Sequence, residues 1–232
     1  MIFLLGFDFT FFMTQKAGIT LQPLIFSFQT IKAPAETLIK EQGSRFLAFA
    51  FPVNSEADIE MQLAALRKKY FDATHHCYAW MLGADKSKFR ANDDGEPNHT
   101  AGDPILGQIR AHNLTNVLVV VVRYFGGTKL GVGGLVQAYK AASASVLENA
   151  SIIECEVTCA FHIWYAYTST PEVMSLVKEF DLKIQQQNFT DSGFMEINLS
   201  LRKRDDFIKR LELLKALNHE IVFEEVETKT SG

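Results

Sequence analysis

Three carboxylates stand within four positions, Asp93, Asp94 and Glu96, in the run Asn92-Asp93-Asp94-Gly95-Glu96-Pro97. That density is enough to hold a hard cation such as magnesium or to supply a general base. The same residues, with Gly95 and Pro97, equally fit a β-turn whose aspartates bond the local backbone, and spacing alone leaves both readings open. Further on, Gly126, Gly127, Gly131, Gly133 and Gly134 place five of the chain's fourteen glycines within nine positions, around Lys129. Amides exposed ahead of a helix, beside a lysine, bind phosphate or carboxylate. Glycines at that density also let a helix press closely on a sheet, so the motif is compatible with packing alone. Upstream, His75 and Cys77 lie two apart and share one face of an expected strand, with His76 on the other. A metal there would need further ligands from elsewhere in the chain.

These groups need elements to hold them, and the hydropathy pattern supplies an ordered set. Residues 24–31 and 45–53 alternate as strands, the second ending at Pro52, where a ladder bond would be lost. A helix follows, with Ser55 as its cap, Asp58 three residues on, and Ile59, Leu63, Leu66 and Tyr70 on one face. Its closing Arg67, Lys68 and Lys69 suit the negative end of the helix dipole. Next come a strand over about 74–82, a charged hairpin or loop to Asp94, and a helix over about 101–112 with Pro104 near its first turn. Residues 117–122 are six apolar residues in succession, mostly β-branched, which implies a strand covered on both faces and central in its sheet. After the glycine loop, residues 135–149 read as an alanine-rich helix. The remainder reads as a strand over 153–167, a helix opened near Thr170 and Pro171, strands over 183–189 and 194–201, a helix over 205–217 and a strand over 220–226. That order, βαββαβ, is the split βαβ of a ferredoxin-like unit. It carries no residue pattern that points to chemistry.

The 232 residues, 47% of them hydrophobic, are enough for one or two domains with a sizeable core. The fold class expected is α+β in two domains: an N-terminal extension over 1–22, an α/β sandwich with helices over a sheet at 23–150, and a ferredoxin-like domain at 151–232. The formal net charge of -4 is unevenly shared, with 9 Lys+Arg against 14 Asp+Glu in residues 151–232 and near balance before them. Neither part has the basic excess of a dedicated nucleic-acid binder. Cys77, Cys155 and Cys159 are an odd number in a chain too long to need disulfide staples, which predicts reduced thiols in a cytoplasmic protein. Cys155 and Cys159 lack the second pair a zinc site needs. The apolar start has no basic flank and is interrupted by Asp8, so it reads neither as a signal peptide nor as a membrane span, and Met13 is an alternative start.

The motifs DDGEP (93–97), TAG.PIL (100–106), NVLVVVVRYFGG.KLG.GGLV.AY (116–139) and ATHHCYAW (73–80) resemble the signature of the IMPACT (imprinted and ancient) family, in its bacterial YigZ-type form. The resemblance extends over most of the chain. It implies a first domain folded like the second domain of a small-subunit ribosomal protein and a ferredoxin-like domain similar to part of elongation factor G. It also implies a role in translation regulation, with nucleic acid as a ligand and no established catalysis. The kinase-activator partner of the eukaryotic members is not carried over, because it belongs to a domain this sequence does not show. Three positions depart from the family pattern: His99 stands where glycine is usual, Asp103 where a basic or polar residue is, and Gln137 where arginine is. A left-handed turn at 99 would cost a histidine about 1 kcal/mol, and the other two changes remove positive charge near the loop.

The resulting expectation is a monomeric, cytoplasmic binding protein of the translation apparatus, facing RNA, the ribosome or a translation factor, with no cofactor, metal, membrane or DNA. Its candidate binding residues are His75, Asp93, Asp94, Glu96, Thr100, Arg123, Tyr124, Gly126, Gly127, Lys129, Gly131, Gly133 and Gly134. In this reading Arg123, Lys129 and the loop amides face phosphate, while His75 and the 93–96 turn shape the cleft. The alternative is an enzyme on a small phosphorylated or carboxylated substrate, with Asp93, Asp94 or Glu96 holding magnesium, by likeness to the phosphate-binding domain of small-molecule kinases.

Overall fold

The computed structural model describes residues 24–226, so the readings of 1–22 as an extension and of Met13 as a start lie outside the described residues. The class is α+β, with three sheets and five α-helices among those residues. No helix there is long and apolar enough to cross a membrane.

The strand at 117–122 organises the first sheet. As β6 (Val117–Tyr124) it lies at the centre of the order β2-β3-β6-β4-β5, between β3 (Ser44–Pro52) and β4 (His75–Leu82). The edges are β2 (Ala35–Glu41) and β5 (Lys88–Asn92), and every pairing is antiparallel. The unbroken apolar run has its cause in cover on both faces. Val117, Val119 and Val121 join one core cluster with α2 (Gly102–Ala111) and α3 (Gly131–Glu148), while Leu118, Val120 and Val122 join another under α1 (Glu56–Lys69). All six are fully buried, and each contributes roughly 1.5–3 kcal/mol of transfer free energy. Helix α1 starts as its sequence requires: Ser55 accepts from the Asp58 N–H at 3.1 Å, and the Asp58 carboxylate accepts from the Ser55 N–H at 3.0 Å.

The structure departs from the sequence reading at three places. The strand β2 was not expected, and the expected 153–167 strand is two, β7 (Ile152–Glu156) and β8 (Thr158–Tyr165). Helix α3 opens at Gly131, four residues earlier than expected, so Gly133 and Gly134 are helical. Strand β7 pairs with β1 (Ser27–Ile31) in an antiparallel ribbon, from Ser27 opposite Glu156 to Ile31 opposite Ile152.

Beyond that ribbon, α4 (Thr170–Phe180), β9 (Lys183–Phe189), β10 (Gly193–Ser200), α5 (Arg204–Ala216) and β11 (Ile221–Val226) follow β8 in the order βαββαβ. Their sheet runs β11-β8-β10-β9, antiparallel throughout. One face packs on the two helices around Phe161, Tyr165, Met195 and Phe207.

Candidate functional site

The Asp93 to Glu96 turn is the hinge on which the site is built, and its carboxylates do different things. The Glu96 N–H donates to the Asp93 carbonyl, closing a β-turn. Asp93 then opens α2: its Oδ1 accepts from the N–H groups of Ala101 and Gly102 at 2.9 and 2.8 Å, and its Oδ2 from that of His99 at 2.9 Å. Burial pushes this carboxyl's pKa up, but the bonds from Gly102, His99 and Ala101 outweigh it and hold it below the ordinary aspartate value. Asp94, with φ at 42°, takes the His76 N–H on Oδ2 at 2.7 Å and the Arg67 guanidinium on Oδ1 at 3.2 Å. Thr100 is buried, and its hydroxyl donates to the Pro97 carbonyl at 2.6 Å.

Glu96 is the residue the turn delivers inward. Its Oε1 accepts from Arg123 Nη1 at 2.6 Å and from the Tyr139 hydroxyl at 2.8 Å, and its side chain is only 4% exposed. Cys77 extends the chain of bonds, its Sγ lying 3.3 Å from the Tyr139 oxygen and 3.0 Å from the Asp93 carbonyl. Burial raises the pKa of both Cys77 and Tyr139, so both stay protonated. His75 Nδ1 lies 2.9 Å from the Asp94 carbonyl, which can only accept, so that nitrogen carries the proton; Nε2 faces Glu96 Oε1 at 3.8 Å. His76 points to the α1 side, where burial lowers its pKa and keeps the ring neutral.

Two expectations change on this geometry. Arg123 is not a solvent-facing cation: register along β6 turns it into the α2 and α3 face, where it is buried, paired with Glu96 and set over the Phe46 and Phe125 rings. The carboxylates of 93–96 do not converge to hold magnesium, because each is already occupied by backbone N–H groups, a guanidinium or the Tyr139 hydroxyl. Tyr124 faces the α1 side and donates to Asp72 at 2.7 Å, away from the loop cleft.

What remains at the loop is a cavity of about 340 Å³ lined by Glu96, Pro97, Arg123, Phe125, Lys129 and the first turn of α3. Among the described residues that turn has no side-chain cap and no acidic residue, which leaves its first amides available to an anion. Lys129 is exposed beside it, and the buried Arg123 Nε has no hydrogen-bond partner among the described residues. The glycines divide by cause. A Cβ on Gly126 would lie 1.9 Å from the Gly43 carbonyl carbon, so packing requires that glycine. Gly127 and Gly131 hold φ of 88° and 68°. Gly134 would bring a Cβ to 3.0 Å from the Leu130 Cβ, whereas Gly133 is exposed with nothing within 4 Å, so neither packing nor backbone explains it. Tyr139 is a member of the site that sequence reasoning did not single out, because its position on a buried helix face reads as core. Cys77, weighed with His75 as a metal ligand, is instead a buried thiol bonded to the Asp93 carbonyl and the Tyr139 hydroxyl.

Residues 42–147 match the Impact N-terminal domain. A Haemophilus influenzae IMPACT family member is 30% identical over 173 residues, covering 72% of this chain and 82% of its own. The chain belongs to the IMPACT family. Within the family it is of the YigZ type: Escherichia coli YigZ is 29% identical, over 78% of this chain and 90% of that protein. A crystal structure described as that of a hypothetical protein superposes with a TM-score of 0.69 at 27% identity, covering 88% of this chain and 99% of the other. The expected strain at position 99 is present, since His99 sits at φ 65° and pairs with Asp103 at 2.7 Å.

Proposed function

We propose that this family member is a regulatory binding protein of the translation apparatus, which engages RNA or the ribosome by seating a phosphate at the start of α3. The expected likeness of its two units to a ribosomal-protein domain and to part of elongation factor G belongs to the same reading. The observation that carries it is the uncapped first turn of α3 beside Lys129, over a buried arginine with one donor unspent. Glu96 neutralises Arg123 rather than holding a metal, so the cleft presents a net positive rim to an anion. Catalysis has less support among the described residues, where each carboxylate of the 93–96 turn is already held by a hydrogen bond or ion pair and burial keeps the Cys77 thiol protonated.

The geometry also limits the grip. With Lys129 and at most one further contact from Arg123, about two phosphates are neutralised, and a single-stranded ligand should lose about sevenfold in affinity between 50 and 200 mM salt. A dedicated nucleic-acid binder loses orders of magnitude more. Anisotropy titrations of single-stranded ribosomal RNA fragments test this, with Lys129→Ala expected to lower the salt slope by about 0.7. Binding that ignores salt and Lys129, or no binding to RNA or ribosomes, overturns the proposal.

A further inference from the structure

The helix-free face of the β11-β8-β10-β9 sheet carries two distinct rows of side chains. Across one row, register sets Val222 beside Trp164 and Trp164 beside Phe194. Val222 is 64% exposed, and the Trp164 and Phe194 rings lie 5.4 Å apart at 46°. Two residues along each strand, the next row sets Glu224 beside His162 and His162 beside Glu196. The His162 ring contacts both carboxylates, Glu224 at 3.2 Å and Glu196 at 3.9 Å, and packs edge-on against Trp164 and Phe194. None of these side chains belongs to the core beneath the sheet, and none has a role in the cleft at α3.

Aromatic rings displayed on a four-stranded sheet of this order can stack nucleic-acid bases. A nucleic acid, however, brings phosphates that need cations beside the rings. Here the adjacent row holds two carboxylates, Lys183 stands one row further on, opposite Asn198, and residues 151–232 carry 9 Lys+Arg against 14 Asp+Glu. The ligand matched to rings flanked by carboxylates is a guanidinium, which stacks on an aromatic face while donating paired hydrogen bonds to a carboxylate. Spacing fixes its form. The two rows are about 6.7 Å apart, the distance between alternate side chains of an extended chain.

We infer that this face docks an extended, arginine-rich segment of a partner protein, with alternate arginines over Trp164 and Phe194 and against Glu196 and Glu224. The test uses the full chain and a fluorescein-labelled peptide alternating arginine and glycine, followed by anisotropy at moderate salt. Binding is expected to weaken about tenfold in Trp164→Ala and again in the Glu196→Gln/Glu224→Gln double variant. A lysine version of the peptide should bind more weakly than the arginine one. Circular dichroism confirms that each variant is folded, which is expected because all three positions face solvent. The inference fails if the peptide does not bind, if it binds equally to Trp164→Ala, or if oligouridylate binds this face in a Trp164-dependent way.

Discussion

Removing the Glu96 carboxylate should unbalance the interior more than any other single change at the site. In Glu96→Ala, Arg123 loses the acceptor 2.6 Å away while its side chain stays 6% exposed, and its one other side-chain acceptor among the described residues is the Ser44 hydroxyl at 3.5 Å. Tyr139 loses its acceptor at the same time. Breaking a buried ion pair from one side costs roughly 3–5 kcal/mol, because the surviving charge is left uncompensated. At about 2–4 °C per kcal/mol for a chain of this length, Tm should fall by roughly 6–20 °C. Glu96→Gln keeps an acceptor of the same shape and should lose less, roughly 1.5–3 kcal/mol, the worth of a hydrogen bond to a charged group. The double variant Glu96→Leu/Arg123→Met removes both charges and should be more stable than Glu96→Ala alone. Urea denaturation of the set, arranged as a double-mutant cycle, measures the coupling directly. A cost below about 1 kcal/mol for Glu96→Ala, or full additivity of the two sites, would refute the view that this pair is a buried, mutually dependent unit.

Three further outcomes follow from the same geometry. Asp93→Asn should cost about 1 kcal/mol at neutral pH through the weakened start of α2. Because the folded pKa of Asp93 is depressed, its contribution is present above the unfolded value near 3.9 and lost as pH falls through the folded one, so wild type and variant should converge in stability below about pH 4; a gap that persists in acid counts against it. Gly133→Ala should stabilise α3 by about 0.8–1.0 kcal/mol, whereas Gly126→Ala should destabilise the loop, since its Cβ meets Gly43 backbone at 1.9 Å; equal effects in thermal melts would contradict the division. In thiol labelling at pH 8, half-buried Cys155 should react first, while Cys77, its pKa pushed up by burial, and Cys159, pushed up to about 11, wait for unfolding; a second fast equivalent in native protein would be the adverse result.

What the sequence disclosed tracked local signals. The covered β6 run, the Ser55 capping box and the βαββαβ order are each written in contiguous residues, and each appears as read. Strand β2, AETLIKE, escaped because an edge strand with one half-solvated face is rich in residues of low β-propensity. The start of α3 escaped because glycine disfavours a helix that tertiary packing nonetheless enforces. The turn at 93–96 was legible as a turn, yet the direction of its third carboxylate was not. Glu96 and Arg123 meet across 27 positions and Cys77 and Tyr139 across 62, distances over which no local pattern speaks. Arginine before a glycine loop therefore suggested an outward cation, when the alternation of β6 had already assigned it inward.

The ribbon of β1 and β7 has a mechanical consequence. Ser27 and Glu156 pair at the end where the chain enters and leaves, and Ile31 and Ile152 at the far end. Traction applied upstream of Ser27 and downstream of Glu156 therefore peels the ribbon one rung at a time, in the geometry of a zipper rather than a lap joint. The joint yields at low load, and the five-stranded sheet is reached only after it has opened. Load applied across Ser27 and Glu156 would thus open this seam with the cleft at α3 still intact.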